Sequence, residues 1–293
     1  MTTASPFTCV LGVRASLGEC PLWSGEERAL YWVDINAPSL NRFDPESGRN
    51  AVMPMPASIG SFAFRKGGGF VVALRDGIWL ADEQGHVTRK VADAAYETLR
   101  HRFNDGRCDP QGRFVVGSMN ENRDIADAAL YRLDASGTLT QLLDGLMISN
   151  GLAWSPDGRT MYHADTPTRT VCAYAYDAGP PLPANRRVFA KWEGETERPD
   201  GGAIDSAGNY WTAFYRGGEV LQLSPLGDVL ARYPVPAMCP TMCAFGGEDL
   251  RTLYVTSARQ ERDADELARL PDSGGIFAMR VDTPGLPEPQ FIG

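Results

Sequence analysis

One short pattern recurs along this chain at nearly even intervals, and it limits the possible fold more than any other feature. Its clearest copy runs from Ile148 to Asp165. There an apolar strand ends at Trp154, the turn Ser155-Pro156-Asp157-Gly158 fixes the backbone angles, and a second strand carries Met161 and Tyr162. Five residues before the turn-opening serine stands Asn150. The same count places Asp200 before Asp205, Asn104 before Asp109 and Glu19 before Ser24, while two weaker copies place Gly60 before Arg65 and Met242 before Gly247. The intervals are 41, 44, 46, 50 and 42 residues, each suited to one four-stranded propeller blade. The sequence therefore predicts an all-β fold, a single six-bladed β-propeller over residues 1–293, with no linker at which to divide it.

In a propeller the first strand of every blade lines the central channel, so residues at one register form a ring around the axis. Glu19, Asn104, Asn150 and Asp200 should converge although far apart in sequence. Open blade edges favour pairing an N-terminal strand into the last blade, and residues 7–14 are expected to serve as that strand. Gly60 leaves either room for a ligand or a place for close backbone packing. The polar run Asn120 to Asp127 reads as a solvated connection unless its side of the blade puts it beside the ring. Leu267 and Leu270 suggest a short helix within 260–270, and a Pro-rich hairpin is expected over 178–183.

Convergent carboxylates and amides suit a hard divalent cation. Only three histidines exist, at 86, 101 and 163, and none has the ring register, so oxygen ligation by Glu19, Asp200 and the Asn150 amide is favoured over a His-bound zinc. The plainer alternative is a polar channel that holds water. Six cysteines read as packed, reduced thiols, because the pair Cys239 and Cys243 has no second pair at zinc spacing. Arg102 stands two residues from Asn104 on one strand and should share its face. Its guanidinium could hold a carbonyl, a hydroxyl or a developing oxyanion, or it could neutralise Asp105 or Asp200. No nucleophilic Ser or Cys and no His occupies the register, whereas a metal that polarises a carbonyl and activates water needs none.

The net charge of −9 and a pI near 4.9 argue against a nucleic-acid partner. No basic start precedes an apolar run, and no apolar stretch reaches 18 residues, so no membrane partner and a cytoplasmic location are expected.

Four segments carry a family resemblance: Leu17 to Trp23, Arg102 to Gly112, Ser149 to Ser155, and Pro199 to Asp205. Together they resemble the senescence-marker/gluconolactonase-like proteins, six-bladed metal-dependent sugar lactonases. The resemblance implies that Glu19, Asn150 and Asp200 bind the metal, and that Arg102 and Asn104 face the substrate, with Asn104 a direct or water-mediated ligand. It also implies a catalytic set of Asp200, Arg102 and Asn104, in which Asp200 helps deprotonate the attacking water. Some relatives place a substrate-binding Glu after the Gly-Ser/Thr-Met step of blade three, and here Asn120, Glu121 and Asn122 compete for that place. The implied cofactor is one divalent cation, Ca²⁺ foremost, with Zn²⁺, Mg²⁺, Mn²⁺ and Fe²⁺ compatible. The implied reaction is hydrolysis of an aldono-1,4- or 1,5-lactone to its acid, by a monomer or weak homo-oligomer. A phosphotriesterase or broad esterase on the same scaffold, or a non-catalytic metal-binding propeller, are the alternatives.

Overall fold

The computed structural model describes residues 5–176 and 183–293. Its strands form six four-stranded antiparallel sheets arranged as the blades of a propeller. The inner strands are Gly18–Ser24, Ile59–Phe64, His101–Cys108, Ser149–Trp154, Arg198–Ile204 and Pro240–Gly246. These strands are buried almost throughout, whereas outer strands such as Arg49–Pro54 and Val229–Pro234 are largely exposed. Five blades run in chain order from the axis outward. The sixth takes its outer strand, Thr8–Leu11, from the N-terminus, which pairs antiparallel with Ile276–Arg280. The expected closing strand is thus present but shorter than 7–14, because the pairing ends where its partner strand begins, at Leu11 opposite Ile276. The Pro-rich hairpin expected over 178–183 lies, apart from Pro183, outside the described residues.

A lone four-stranded sheet cannot bury both of its faces, so each blade must pack on two neighbours. Six apolar clusters do this, one between each adjacent pair of blades. Between blades one and two, for example, Tyr31 meets Phe64 edge-on with ring centroids 5.2 Å apart.

Every inner strand breaks register close to the counted position: between Glu19 and Leu22, Ile59 and Ser61, Phe103 and Gly106, Asn150 and Ala153, Pro199 and Gly202, and Pro240 and Cys243. A bulge takes a residue out of the ladder and re-aims its side chain. Positive φ follows directly after two ring residues, at Cys20 (46°) and Gly151 (66°). Gly60 serves packing. A Cβ there would stand 2.3 Å from the Phe103 carbonyl oxygen, so the glycine lets the blade-three inner strand approach.

The helix over Ala264–Arg269 is capped by Asp263, whose side chain accepts from the Glu266 N–H at 2.7 Å. Its buried residue is Glu266, paired with Arg262 at 3.3 Å; Leu267 and Leu270 are only half-buried. Six residues make fewer than two turns, too few for an apolar stripe. After the last blade the C-terminal segment crosses the base of the propeller. The Ser206 N–H donates to the Pro284 carbonyl, the Phe291 N–H to the Phe64 carbonyl and the Ile292 N–H to the Gly112 carbonyl. The six cysteines are free thiols. No helix of the described residues is long and apolar enough to cross a membrane.

Candidate active site

Glu19, Asn104, Asn150 and Asp200 line one cavity of about 70 Å³, together with Arg102. Two larger surface hollows, of about 870 and 590 Å³, contain none of these residues. The bulges explain the convergence, since four of the six present a polar side chain at the counted position, while Gly60 and Met242 stand at the other two.

The amides are tied into a chain. Arg102 donates from Nη1 to Asn104 Oδ1 at 2.7 Å and to the Phe103 carbonyl at 2.9 Å. Asn104 Nδ2 donates to Asn150 Oδ1 and to the Ser149 carbonyl, both at 2.9 Å. Asn150 Nδ2 donates to Thr166 Oγ1 at 2.7 Å, and the Thr166 hydroxyl donates to the Pro199 carbonyl at 2.9 Å. Both N–H donors of Asn104 are therefore spent inside the protein. The expectation that Asn104 donates to substrate meets this obstacle, and its geometry is that of a residue that positions Arg102 against Asn150.

The carboxylates are the opposite case. Glu19 and Asp200 are buried, and neither makes a side-chain hydrogen bond to another side chain among the described residues. Burial pushes both carboxyls well above the ordinary carboxylate range. Charge repulsion adds to this, from Asp200 and Asp105 on Glu19 and from Asp105 on Asp200, while Arg102 pulls both back. Among the described residues no three His, Cys, Asp or Glu side chains form a cluster able to hold an ion alone, so a cation here would draw on amide oxygen as well. Two under-solvated carboxylates beside Asn150 Oδ1 form an all-oxygen donor set that fits a hard dication.

Arg102 is not the salt-bridge partner of Asp105 or Asp200. Its carboxylate neighbour is Glu121, with Nε and Oε1 3.6 Å apart, and Glu121 is also gripped by Arg75 at 2.7 and 2.9 Å. Burial lowers the Arg102 pKa. Its Nη2 group makes no hydrogen bond among the described residues and is left to the cavity.

Of the three residues competing for a substrate contact, Glu121 reaches the cavity only through Arg102. Asn120 is turned into its own loop. Its Nδ2 donates to Asp127 Oδ1 (2.9 Å) and Asp124 Oδ1 (3.1 Å), and its Oδ1 accepts the Asn122 N–H. Asn122 is exposed and does not line the cavity. The residue this loop does bring to the cavity is Arg123, joined from blade five by Arg198. Neither was singled out in the sequence, although Arg198 stands two residues before Asp200 just as Arg102 stands two before Asn104.

A Ser–His contact also went unforeseen. Ser149 Oγ and His163 Nε2 are 2.8 Å apart, one residue off the ring register. Both are buried, and burial pushes the imidazole down to about 3, so it is neutral at physiological pH. The pair fixes the strand whose Ser149 carbonyl receives Asn104; it does not line the ring cavity, and His163 borders the separate hollow of about 590 Å³.

The family model described as SMP-30/Gluconolactonase/LRE-like region matches residues 17–259. Among curated proteins, the 6-deoxy-6-sulfogluconolactonase of Pseudomonas putida is 46% identical over 286 residues, covering 97% of this chain and 98% of its own. Regucalcin of Gallus gallus is 35% identical over 292 residues, with 97% and 98% covered. Among solved structures, a calcium-binding protein, regucalcin, from Agrobacterium tumefaciens superposes with a TM-score of 0.93 at 29% identity, covering 99% of each chain.

Proposed function

This chain belongs to the SMP-30/gluconolactonase/LRE-like family, and on that premise we propose that it hydrolyses a sugar lactone to the open-chain aldonic acid with the help of one divalent cation. Family members support hydrolysis of lactone esters. The observation that carries the finer reading is the pair of buried, mutually repelling carboxylates, Glu19 and Asp200, facing the same small cavity as the unpaired Nη2 of Arg102.

Glu19, Asp200 and Asn150 Oδ1 would hold the cation, whose chemistry is to polarise a carbonyl and acidify a nearby water. The chain's own groups then do the following work. Asp200 accepts the proton of the attacking water at a carboxylate oxygen. Arg102 Nη2 donates to the lactone carbonyl oxygen as negative charge grows there, and Asn104 and Glu121 keep the guanidinium in place. When the ring C–O bond breaks, the proton held on Asp200 passes to the departing oxygen, which becomes a hydroxyl. One water is consumed and one hydroxy acid formed. An apolar ester would leave the guanidinium donors without partners, which favours a polyol ring.

The test is a proton-release assay of metal-stripped protein against aldonolactones, with Ca²⁺, Mg²⁺, Mn²⁺, Zn²⁺ and Fe²⁺ restored in turn. Calcium is tried first because the Agrobacterium neighbour is described as calcium-binding. Restored lactone opening is expected. A stripped protein as active as the restored one would remove the cation from the reading, and no activity on any lactone with any cation would remove the reaction.

A further inference from the structure

Next to the ring, a single peptide group of blade four is held by side chains of two other blades. The register of that blade breaks between Asn150 and Ala153, which takes Gly151 and Leu152 out of the ladder. Backbone polar groups released in this way and buried must find other partners. Both ends of the Gly151–Leu152 peptide have done so. Its N–H, on Leu152, donates to Asp105 Oδ2 at 3.0 Å, and its carbonyl, on Gly151, accepts from the Tyr210 hydroxyl at 2.8 Å. Asp105 comes from the inner strand of blade three, and Tyr210 opens the second strand of blade five. Because a peptide group is rigid and planar, a hold on both ends fixes its orientation.

The hold is tight and dry. Leu152 and Tyr210 are fully buried and Asp105 nearly so. A Cβ on Gly151 would stand 2.5 Å from the Tyr210 hydroxyl and 3.2 Å from the Asp200 carbonyl oxygen, so the glycine lets both neighbours close in. The clamped peptide directly follows Asn150, the one neutral member of the donor set. A carboxylate can turn and still offer a cation an oxygen. An amide has one oxygen, and turned about it presents N–H donors instead, so Asn150 is the member whose placement must be imposed from outside.

We infer that Asp105 and Tyr210 are positioning residues, which clamp the Gly151–Leu152 peptide and thereby hold Asn150 with its oxygen toward the cation. Asn104 and Thr166 set the rotation of the amide itself, and the clamp sets the backbone from which it extends. Partners of this kind, one step removed from a metal, commonly govern affinity almost as strongly as the ligands do. The inference rests on the cation reading for its consequence, whereas the clamp stands on two hydrogen bonds of the chain alone.

Tyr210→Phe carries the test, because it deletes one hydroxyl and no charge. The first arm follows hydrogen exchange of the Leu152 amide by NMR in metal-stripped protein. Exchange is expected to be about tenfold faster or more in Tyr210→Phe and Asp105→Ala, and near the wild-type rate in Asp105→Asn, which keeps an acceptor for the Leu152 N–H. The second arm titrates Ca²⁺ calorimetrically into stripped wild type, Tyr210→Phe and Tyr162→Phe. Tyr162 packs against Tyr210 with ring centroids 5.3 Å apart, so its variant disturbs the same cluster and leaves the clamp intact. Calcium should bind about 10–100-fold more weakly in Tyr210→Phe and unchanged in Tyr162→Phe. Lactone opening by Tyr210→Phe should return when calcium is raised in proportion, which a merely destabilised protein would not show. Calcium affinity within twofold of wild type in Tyr210→Phe overturns the positioning role, and weakened affinity with Leu152 exchange unchanged overturns the clamp as its route. A wild type that binds no cation would instead overturn the cation reading, with the Leu152 arm still deciding the clamp.

Discussion

Arg102 and Arg107 stand five residues apart on one inner strand, and both are buried, yet they live in opposite circumstances. Arg107 donates from Nη1 to Glu288 at 2.7 Å and from Nη2 to the Gly202 carbonyl at 3.1 Å, and it sits against the C-terminal segment that closes the base of the propeller. Asp105, deeper in the same cluster, accepts the Leu152 N–H at 3.0 Å. Near the mouth, Arg102 keeps a free Nη2, and Glu19 and Asp200 repel one another without a hydrogen-bonded side-chain partner. At one end Arg107 is held by Glu288 and closed off, although its Nε and Asp105 Oδ1 are buried without partners, and at the other charge is left over at an opening. Burial of charge is common to both ends, so the mark of a site is the unmatched remainder together with access.

The pairing at the base can be broken directly. Glu288→Ala should destabilise the protein by about 3–5 kcal/mol in denaturant unfolding, the usual cost of leaving a buried charge alone. A loss below about 1 kcal/mol would mean that the closed end is not structural and would dissolve the contrast. At the mouth the expected effect is on chemistry. Arg102→Ala should lower kcat by about 10²–10³, and cation affinity should hold or tighten, because Arg102 shares the carboxylates' charge. Wild-type turnover in that variant would make Arg102 a mere partner of Glu121.

How much of this contrast the sequence carries can be judged residue by residue. The blades were legible because a turn with Gly recurs at each step, with Pro at 110 and 156 in two of them, and the ring because a fixed count from the turn lands on the bulge. Arg198 lay off the counted register, though its spacing from Asp200 repeats that of Arg102 from Asn104. Glu288 was beyond reach, since its partner is 181 residues away and the C-terminal segment belongs to no repeat. Asn120 misled because an amide after the second strand can bond its own loop as readily as a sugar.

The Ser149–His163 pair gives a pH test of the scaffold around the open end. The His163 pKa is about 3 in the folded protein and about 6.5 in the unfolded chain. Below pH 6.5 the unfolded chain takes a proton that the folded one refuses. Stability is therefore fully present above 6.5 and falls by about 1.4 kcal/mol per pH unit toward 3, or about 2 kcal/mol at pH 5. Urea titrations of wild type and His163→Gln across pH 7 to 4.5 should show that part of the slope vanish in the variant. An unchanged slope would place the acid sensitivity elsewhere. The smallest effect is expected at Asn122, exposed and outside the cavity. Asn122→Ala should change stability by less than about 0.5 kcal/mol and kcat/KM by less than about twofold, and a larger loss in kcat/KM would return the blade-three loop amide to the substrate.

The central claim is that Glu19 and Asp200 are held in repulsion for a cation. Removing either charge should then stabilise the cation-free protein, because the folded state raises their pKa values above those of the unfolded chain and so opposes their ionised forms at neutral pH. The direct measurement is a calorimetric melt at pH 7 of metal-stripped wild type, Glu19→Gln and Asp200→Asn, each with and without calcium. The expected result is that both variants melt a few degrees above the stripped wild type, at about 2–4 °C per kcal/mol, and that calcium raises the Tm of the wild type only. Variants that melt lower than the stripped wild type, or that gain the same calcium-induced rise, would contradict the claim.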